Sequence, residues 1–196
     1  ANHFLNPYAH VDQATIQLRQ QTWRRLLDCP HAFEGCDSEV PTAKIIAKRD
    51  GGLEVVAGID QLMIAKTTES GFENFHRDEY RTLADTSDRI MASSVTADWT
   101  YASGDLNFAT ARHEIREAML RRFIDHYSNS VQETLMRMGD AALEACEKIN
   151  EITLSMPNKH HILFNLQPLG RENNNDVFVV TDEPFGYIRA TVTRDS

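Results

Sequence analysis

Residues 111–150, "ARHEIREAMLRRFIDHYSNSVQETLMRMGDAALEACEKIN", carry the texture that decides the architecture. Ile115, Met119, Phe123 and Tyr127 fall at i+4 steps, one face of a helix. Ser130-Val131-Gln132-Glu133 then reads as a capping box, in which the serine hydroxyl and the Glu133 carboxylate satisfy reciprocal amide donors. Behind it Val131, Leu135, Met138, Ala142, Ala145 and Ile149 repeat at helical spacing. Two consecutive helices are expected, the second starting near Val131.

On either side the period drops to two. "SDRIMASSVTADWTY" (87–101), rich in β-branched and aromatic residues, reads as a strand, as do "EITLSMPNKHHILFNL" (151–166) and "DVFVVTDEPFGYIRATVTR" (176–194). In the last run Ile188, Ala190 and Val192 alternate with Arg189, Thr191 and Thr193, an apolar face against a wet one. Upstream, "VDQATIQLRQQTWRRLL" (11–27) sets Ile16 and Leu18 against Thr15, Gln17 and Arg19. Asp50-Gly51-Gly52 supplies a tight hairpin turn between two further runs. Strands split around a helix pair imply an α+β fold, an antiparallel sheet with both helices packed on one face. Residues 1–50 read as the C-terminal part of one such unit and residues 51–196 as a second, complete one.

The totals exclude several classes. With 196 residues, 41% hydrophobic and 25% charged, the chain is long enough to bury a core. A net charge of −9 argues against binding duplex nucleic acid by phosphate neutralisation. Cys29, Cys36 and Cys146 are odd in number and widely spaced, which suits reduced thiols in a cytosol-like compartment. There is no CxxC pair or HExxH helix, hence no expected metal site, and no apolar run of ~18 residues to span a membrane. The opening "ANHFLNPYAH" lacks signal-peptide character. It also lacks an initiator methionine and begins as if in mid-element, which suits a processed or incomplete chain.

Four groups could carry chemistry. "SGFENFHRDEY" (70–80) offers Gly71, the flat rings of Phe72 and Phe75, and Arg77, although by pattern both rings are more simply core. Asp88-Arg89 opens a strand; such an arginine is usually a surface residue, but its planar donor fork also suits a planar ligand. Val131 and Gln132 stand in the first turn of a helix, where free N–H groups attract anions, although by pattern Gln132 is more simply an exposed helix former. "MPNKHH" (156–161) is either a polar β-bulge or a site, with Asn158 as donor and acceptor and a histidine able to carry a proton. Strand alternation turns His160 and His161 to opposite faces.

Together "TTESGFENFHRDEYRTLADTSDRIMAS", "SVQETLMRMGDAAL", "EITLSMPNKHHILFNLQPLG" and "DEPFGYIRATVTR" resemble urate oxidase, in family order and spacing, over essentially the whole chain. That resemblance implies tandem tunnelling-fold (T-fold) units assembled as a homotetramer, a dimer of dimers, with sites at subunit interfaces. It implies oxidation of urate by O2 to 5-hydroxyisourate and H2O2 in purine degradation, without metal or organic cofactor, in the cytoplasm or, in a eukaryote, the peroxisome. By position Phe72 is similar to the ring that stacks on urate. Arg89 and Gln132 resemble the pincer on its polar edge, with Val131 adding a backbone contact. Asn158 is similar to the amide over the ligand plane, near O2 or water, and His160 to the proton-relay histidine. The family's relay lysine and threonine come from an N-terminal part with no counterpart here, so an N-terminal segment on another chain is the expected partner. Arg81 and Leu169 stand where the family usually has threonine and phenylalanine. The alternatives are a non-catalytic T-fold subunit that binds purines or serves as scaffold, and a pterin-handling T-fold enzyme. A cyclohydrolase of that kind would want zinc ligands that the Cys and His spacing does not offer.

Overall fold

The computed structural model describes residues 1–36, 38–82 and 84–194. In chain order the elements are helix α1 (Asn2–Leu5), strands β1 (Gln13–Arg19), β2 (Thr22–Arg25), β3 (Phe33–Cys36), β4 (Val40–Lys48), β5 (Leu53–Lys66) and β6 (Met91–Tyr101), and helices α2 (Phe108–Ile124) and α3 (Val131–Ala145). Strands β7 (Ile149–Ser155), β8 (Asn158–Leu163), β9 (Phe178–Thr181) and β10 (Arg189–Thr193) complete the chain. The strands pair antiparallel in the order β1-β4-β5-β6-β7-β10, as one continuous sheet, while β2 and β3 form a separate hairpin. The helix pair lies on one face, as the period analysis requires.

Several boundaries differ from the pattern. Helix α2 is set three residues earlier, capped by Asn107, whose side chain accepts from Ala109 and Thr110 N–H, and it closes at Asp125. Tyr127 is therefore off the helix. The α3 cap forms at Ser130, whose hydroxyl accepts the Glu133 amide at 3.1 Å. The Glu133 carboxylate, however, turns back to the amide and side chain of Asn129 rather than to Ser130. Helix α3 ends at Ala145, so Ile149 opens β7. Each of the two long C-terminal runs is split in two. Proline 157 cannot donate to a ladder; there β8 leaves the β7 line, pairing Asn158 with Ser93 and Lys159 with Ala92, and then continues against β9.

The core lies between the sheet and the helices. Trp99, Val95, Ile152 and Leu154 pack with Ile115, Met119, Leu135 and Met138, all of them fully buried. Ile188 and Ala190 pack against this cluster and Val192 is within it, the apolar face expected of the last strand. Helix α3 approaches β10 so closely at Gly139 that a Cβ there would lie 2.5 Å from Val192 Cγ2. Gly139→Ala is expected to destabilise the fold by about 1–3 kcal/mol through overpacking, even after a gain in helix propensity. A urea midpoint equal to wild type would show that the helix can move aside.

The helices cover only part of that face. Over β1, β4 and the start of β5 the same face presents Leu18, Ile45, Leu53 and Val55, bordered by Phe108, in an open groove of about 860 Å³. Leu18 is 53% exposed and Leu53 60%, so the apolar side of β1 is not a buried one. No helix of the described residues is long and apolar enough to cross a membrane.

Strand β5 carries one extra residue. Ile59 pairs with Ala97 and Leu62 with Val95, leaving Asp60 and Gln61 opposite Thr96 alone. Gln61 adopts φ 60°, its amide bonds Asp60 Oδ1 at 3.0 Å, and Thr96 Oγ1 donates to the same oxygen at 2.8 Å. Before this bulge the odd-numbered residues face the helices; after it Leu62, Ile64 and Lys66 do. Lys66 can therefore donate to the carbonyls of Phe123 and His126, satisfying the end of α2.

Candidate active site

The loop from Glu69 to Glu73 is laced to the segment before α3. Ser128 N–H donates to the Glu69 carbonyl, Gly71 N–H to the Ser128 carbonyl at 2.7 Å, and Glu73 N–H to the Asn129 carbonyl. Phe72 and Thr86 exchange both backbone hydrogen bonds, and Arg89 N–H donates to the Ser70 carbonyl. The close approach needs a glycine: a Cβ on Gly71 would run into the Tyr127 hydroxyl and lie 2.7 Å from the Thr86 carbonyl. Tyr127 donates to the Glu73 carboxylate at 2.6 Å, with the Ser87 carbonyl 2.9 Å away. That bond to Glu73 is the main reason its pKa is pushed up to about 12, so the phenol keeps its proton.

This lacing places Phe72 and Arg89 together. The Arg89 guanidinium carbon lies 5.7 Å from the Phe72 ring centroid, and Arg89 Nε donates to the Gly71 carbonyl at 2.7 Å. Phe72 stacks on Phe75 with centroids 4.5 Å apart and planes 17° from parallel. Neither ring joins the core cluster, against the simpler reading of both as core. Arg89 Nη2 is buried and has no hydrogen-bond partner among the described residues. Burial pulls the Arg89 pKa down, with Tyr127 acting the other way.

Val131 is 2% exposed, whereas Gln132 lies at the surface with its side chain making no hydrogen bond among the described residues. Both belong to the first turn of α3, two and three residues beyond Asn129, which holds Glu73. Asn158 pairs with Ser93 of β6, four residues after Arg89, which precedes the strand, and so shares the face of Ser93 toward the helix layer. The Ser93 hydroxyl is fully buried and, like that of Ser70, lacks a partner among the described residues. His160, two residues on, shares the Asn158 face, with its Nδ1 3.4 Å from Asn158 Nδ2. His161 turns the other way: it lines a cavity of about 460 Å³ with Thr86, Asp88, Leu163 and Phe178, which also reaches Arg89. Lys159 is salt-bridged to Asp182 at 2.6 Å on that far side.

Phe72, Arg89, Val131, Gln132, Asn158 and His160 stand out in the sequence by residue type, whereas the side chains that hold the Phe72 loop and the start of α3 do not. Ser70, Ser128, Thr134, Tyr127 and His126 form the supporting hydrogen bonds, and no periodicity marks them. Their signal was compositional: three hydroxyl residues that turn out fully buried, Ser70, Ser128 and Thr134. The structure brings together a ring face and a guanidinium with a buried unpaired donor, Phe72 and Arg89, and, as a separate pair, the Asn158 amide and the His160 imidazole, with no direct contact between the two pairs among the described residues. That set can hold a flat anion and move a proton.

A family model described as uricase matches residues 55–189. The uricase of Arthrobacter globiformis is 39% identical over 193 residues, spanning 98% of this chain and 64% of that protein. That of Dictyostelium discoideum is 37% identical over 197 residues, covering 98% and 68% respectively. The crystal structure of the Arthrobacter globiformis uricase superposes with a TM-score of 0.94 over 99% of this chain and 67% of its own. The chain thus spans about two thirds of the length of the relatives it matches.

Proposed function

Because this chain belongs to the uricase family, we propose that it builds the urate pocket of a urate oxidase, which consumes urate, O2 and water and releases 5-hydroxyisourate and H2O2. The observation that carries the reading is the buried, unpartnered Nη2 of Arg89 beside the Phe72 ring. A buried guanidinium donor without an acceptor costs free energy, and the carbonyl edge of a planar purine anion supplies that acceptor. Phe72 stacks on the ring, Gln132 and Arg89 grip its polar edge, and Val131 adds its backbone. Asn158 stands over the plane where O2 or water reacts, and His160 passes protons. Two electrons leave the urate dianion for O2, which becomes peroxide, and water adds to the oxidised ring. The protein's share is positioning, charge stabilisation and proton transfer.

The family's relay lysine and threonine are proposed to come from sequence outside these 196 residues, whose helices would also cover the open apolar groove over β1, β4 and β5. The division at residue 50 is proposed on the same ground, since the uncovered face begins with the strands of the first part. The assembly is proposed as a homotetramer in a reducing, cytoplasm-like compartment, in keeping with the free cysteines.

The test is a urate titration of the particle containing this chain, first without oxygen and then in air. Saturable binding is expected, followed by loss of urate absorbance with equimolar H2O2 when the covering segment is present. Binding without turnover would reduce the protein to a purine-binding subunit. An absence of binding would overturn the site altogether.

A further inference from the structure

Behind the start of α3 a row of buried hydroxyls ends on a histidine. The Ser128 and Thr134 oxygens lie 2.6 Å apart, and both side chains are fully buried. Thr134 Oγ1 is 3.1 Å from His126 Nε2, and His126 Nδ1 is 2.6 Å from the Arg122 carbonyl. At the other end Ser128 Oγ is 2.9 Å from the carbonyl of Ser130, the residue that caps α3, and 3.5 Å from Met91 Sδ, the weaker acceptor of the two. The Ser128 carbonyl is also the acceptor that holds Gly71, next to Phe72. The row therefore touches both backbone segments that carry the proposed urate contacts.

Counting protons shows that this row has two arrangements. A carbonyl only accepts, so His126 Nδ1 carries a hydrogen toward Arg122. In the neutral imidazole Nε2 is then an acceptor and takes the Thr134 hydroxyl proton; Ser128 in turn donates to Thr134. Each hydroxyl has one proton, so the 2.9 Å contact from Ser128 to the Ser130 carbonyl has none. When the imidazole gains a proton, Nε2 becomes a donor to Thr134. Thr134 then turns its proton to Ser128, and Ser128 donates to the Ser130 carbonyl. One proton at His126 reverses the row and adds a hydrogen bond at the cap of α3.

The surroundings favour the neutral arrangement. Burial pulls the His126 pKa down, and Lys66 from β5 and Arg137 from α3 pull the same way. The Arg122 carbonyl of α2 and the Glu133 carboxylate of α3 oppose this, and Asp125 faces Lys66 nearby. The net shift is downward, so the row reverses at a lower pH than an exposed histidine would set.

We propose that His126 is a positioning residue for the urate site: its protonation, relayed through Thr134 and Ser128, sets the bonding of the Ser130 cap and with it the placement of the Val131–Gln132 turn and the Phe72 loop. This rests on the urate reading of that site. The added cap bond immobilises the turn, so urate affinity rises as pH falls through the His126 midpoint, by roughly 3- to 10-fold, the worth of one hydrogen bond.

The experiment follows the His126 ring and the Val131 and Gln132 amides by NMR against pH, together with oxygen-free urate affinity, in wild type, Thr134→Val and Thr134→Ser. In wild type the amides and the affinity are expected to share the ring's midpoint. In Thr134→Val the ring should still titrate while amides and affinity no longer follow it, and Thr134→Ser should restore the coupling. If Thr134→Val does not fold, Ser128→Ala breaks the row at the next link. Amides that ignore the ring in wild type, or follow it undiminished in the broken row, would overturn the proposal. If the particle binds no urate, the reading of the site fails and the amide titration alone judges the row.

Discussion

His160→Ala is expected to lower urate turnover about 10²- to 10⁴-fold, the usual worth of a positioned acid–base group, while urate affinity stays within roughly threefold. The reason is geometric. His160 stands on β8, paired with Thr181 of β9, and shares its face with Asn158. If Asn158 Nδ2 donates to His160 Nδ1 across their 3.4 Å separation, Nε2 carries the hydrogen, free to exchange it with the reacting centre. The matching control is His161→Ala. His161 Nδ1 lies 3.1 Å from the Lys159 carbonyl, and strand alternation turns its ring away from His160, into the cavity that also reaches Arg89. Steady-state urate consumption should fall in the first variant and remain within about twofold in the second. The reverse pattern would hand the relay to His161.

Arg89→Ala is the second large effect: urate affinity is expected to fall about 10²- to 10³-fold, since two charge-assisted hydrogen bonds together contribute on the order of 3–4 kcal/mol. Stability should hardly change. The mutation removes the Nε bond to the Gly71 carbonyl, but it also relieves a buried donor that has no partner in the free protein. Arg89→Lys should recover little affinity, because an ammonium lacks the planar fork. Calorimetric titration with urate and a urea midpoint for each variant separate the two effects. Equal losses of affinity and stability would place Arg89 among the structural residues.

Much of the fold was legible because its determinants are local. The i+4 spacing from Ile115 to Phe123, the serine cap at 130 and the alternation from Ile188 to Val192 each follow from a short window, and each matches the structure. What escaped is set by distant partners. Nothing near residue 157 tells that β8 will leave β7 for the start of β6, because that depends on the free edge at Ala92 and Ser93. The β2–β3 hairpin escaped for a similar reason, since "QQTWRR" continues the alternation of β1. At the site, residue types such as Phe72 and Arg89 invite attention by their chemistry. Ser128 and Thr134 invite none, and their importance arises only once burial strips them of water.

The extra residue in β5 also governs how this strand can be interrogated. Odd and even positions exchange meaning at Asp60, so one strand is written in two frames. A substitution scan that treats residues 53–66 as a single alternation would mistake inward positions for outward ones over the whole second half. Lys66, nominally on the wet side by that count, is the residue that reaches the end of α2. An alignment that places the surplus one turn away would commit the same error for any relative built on it.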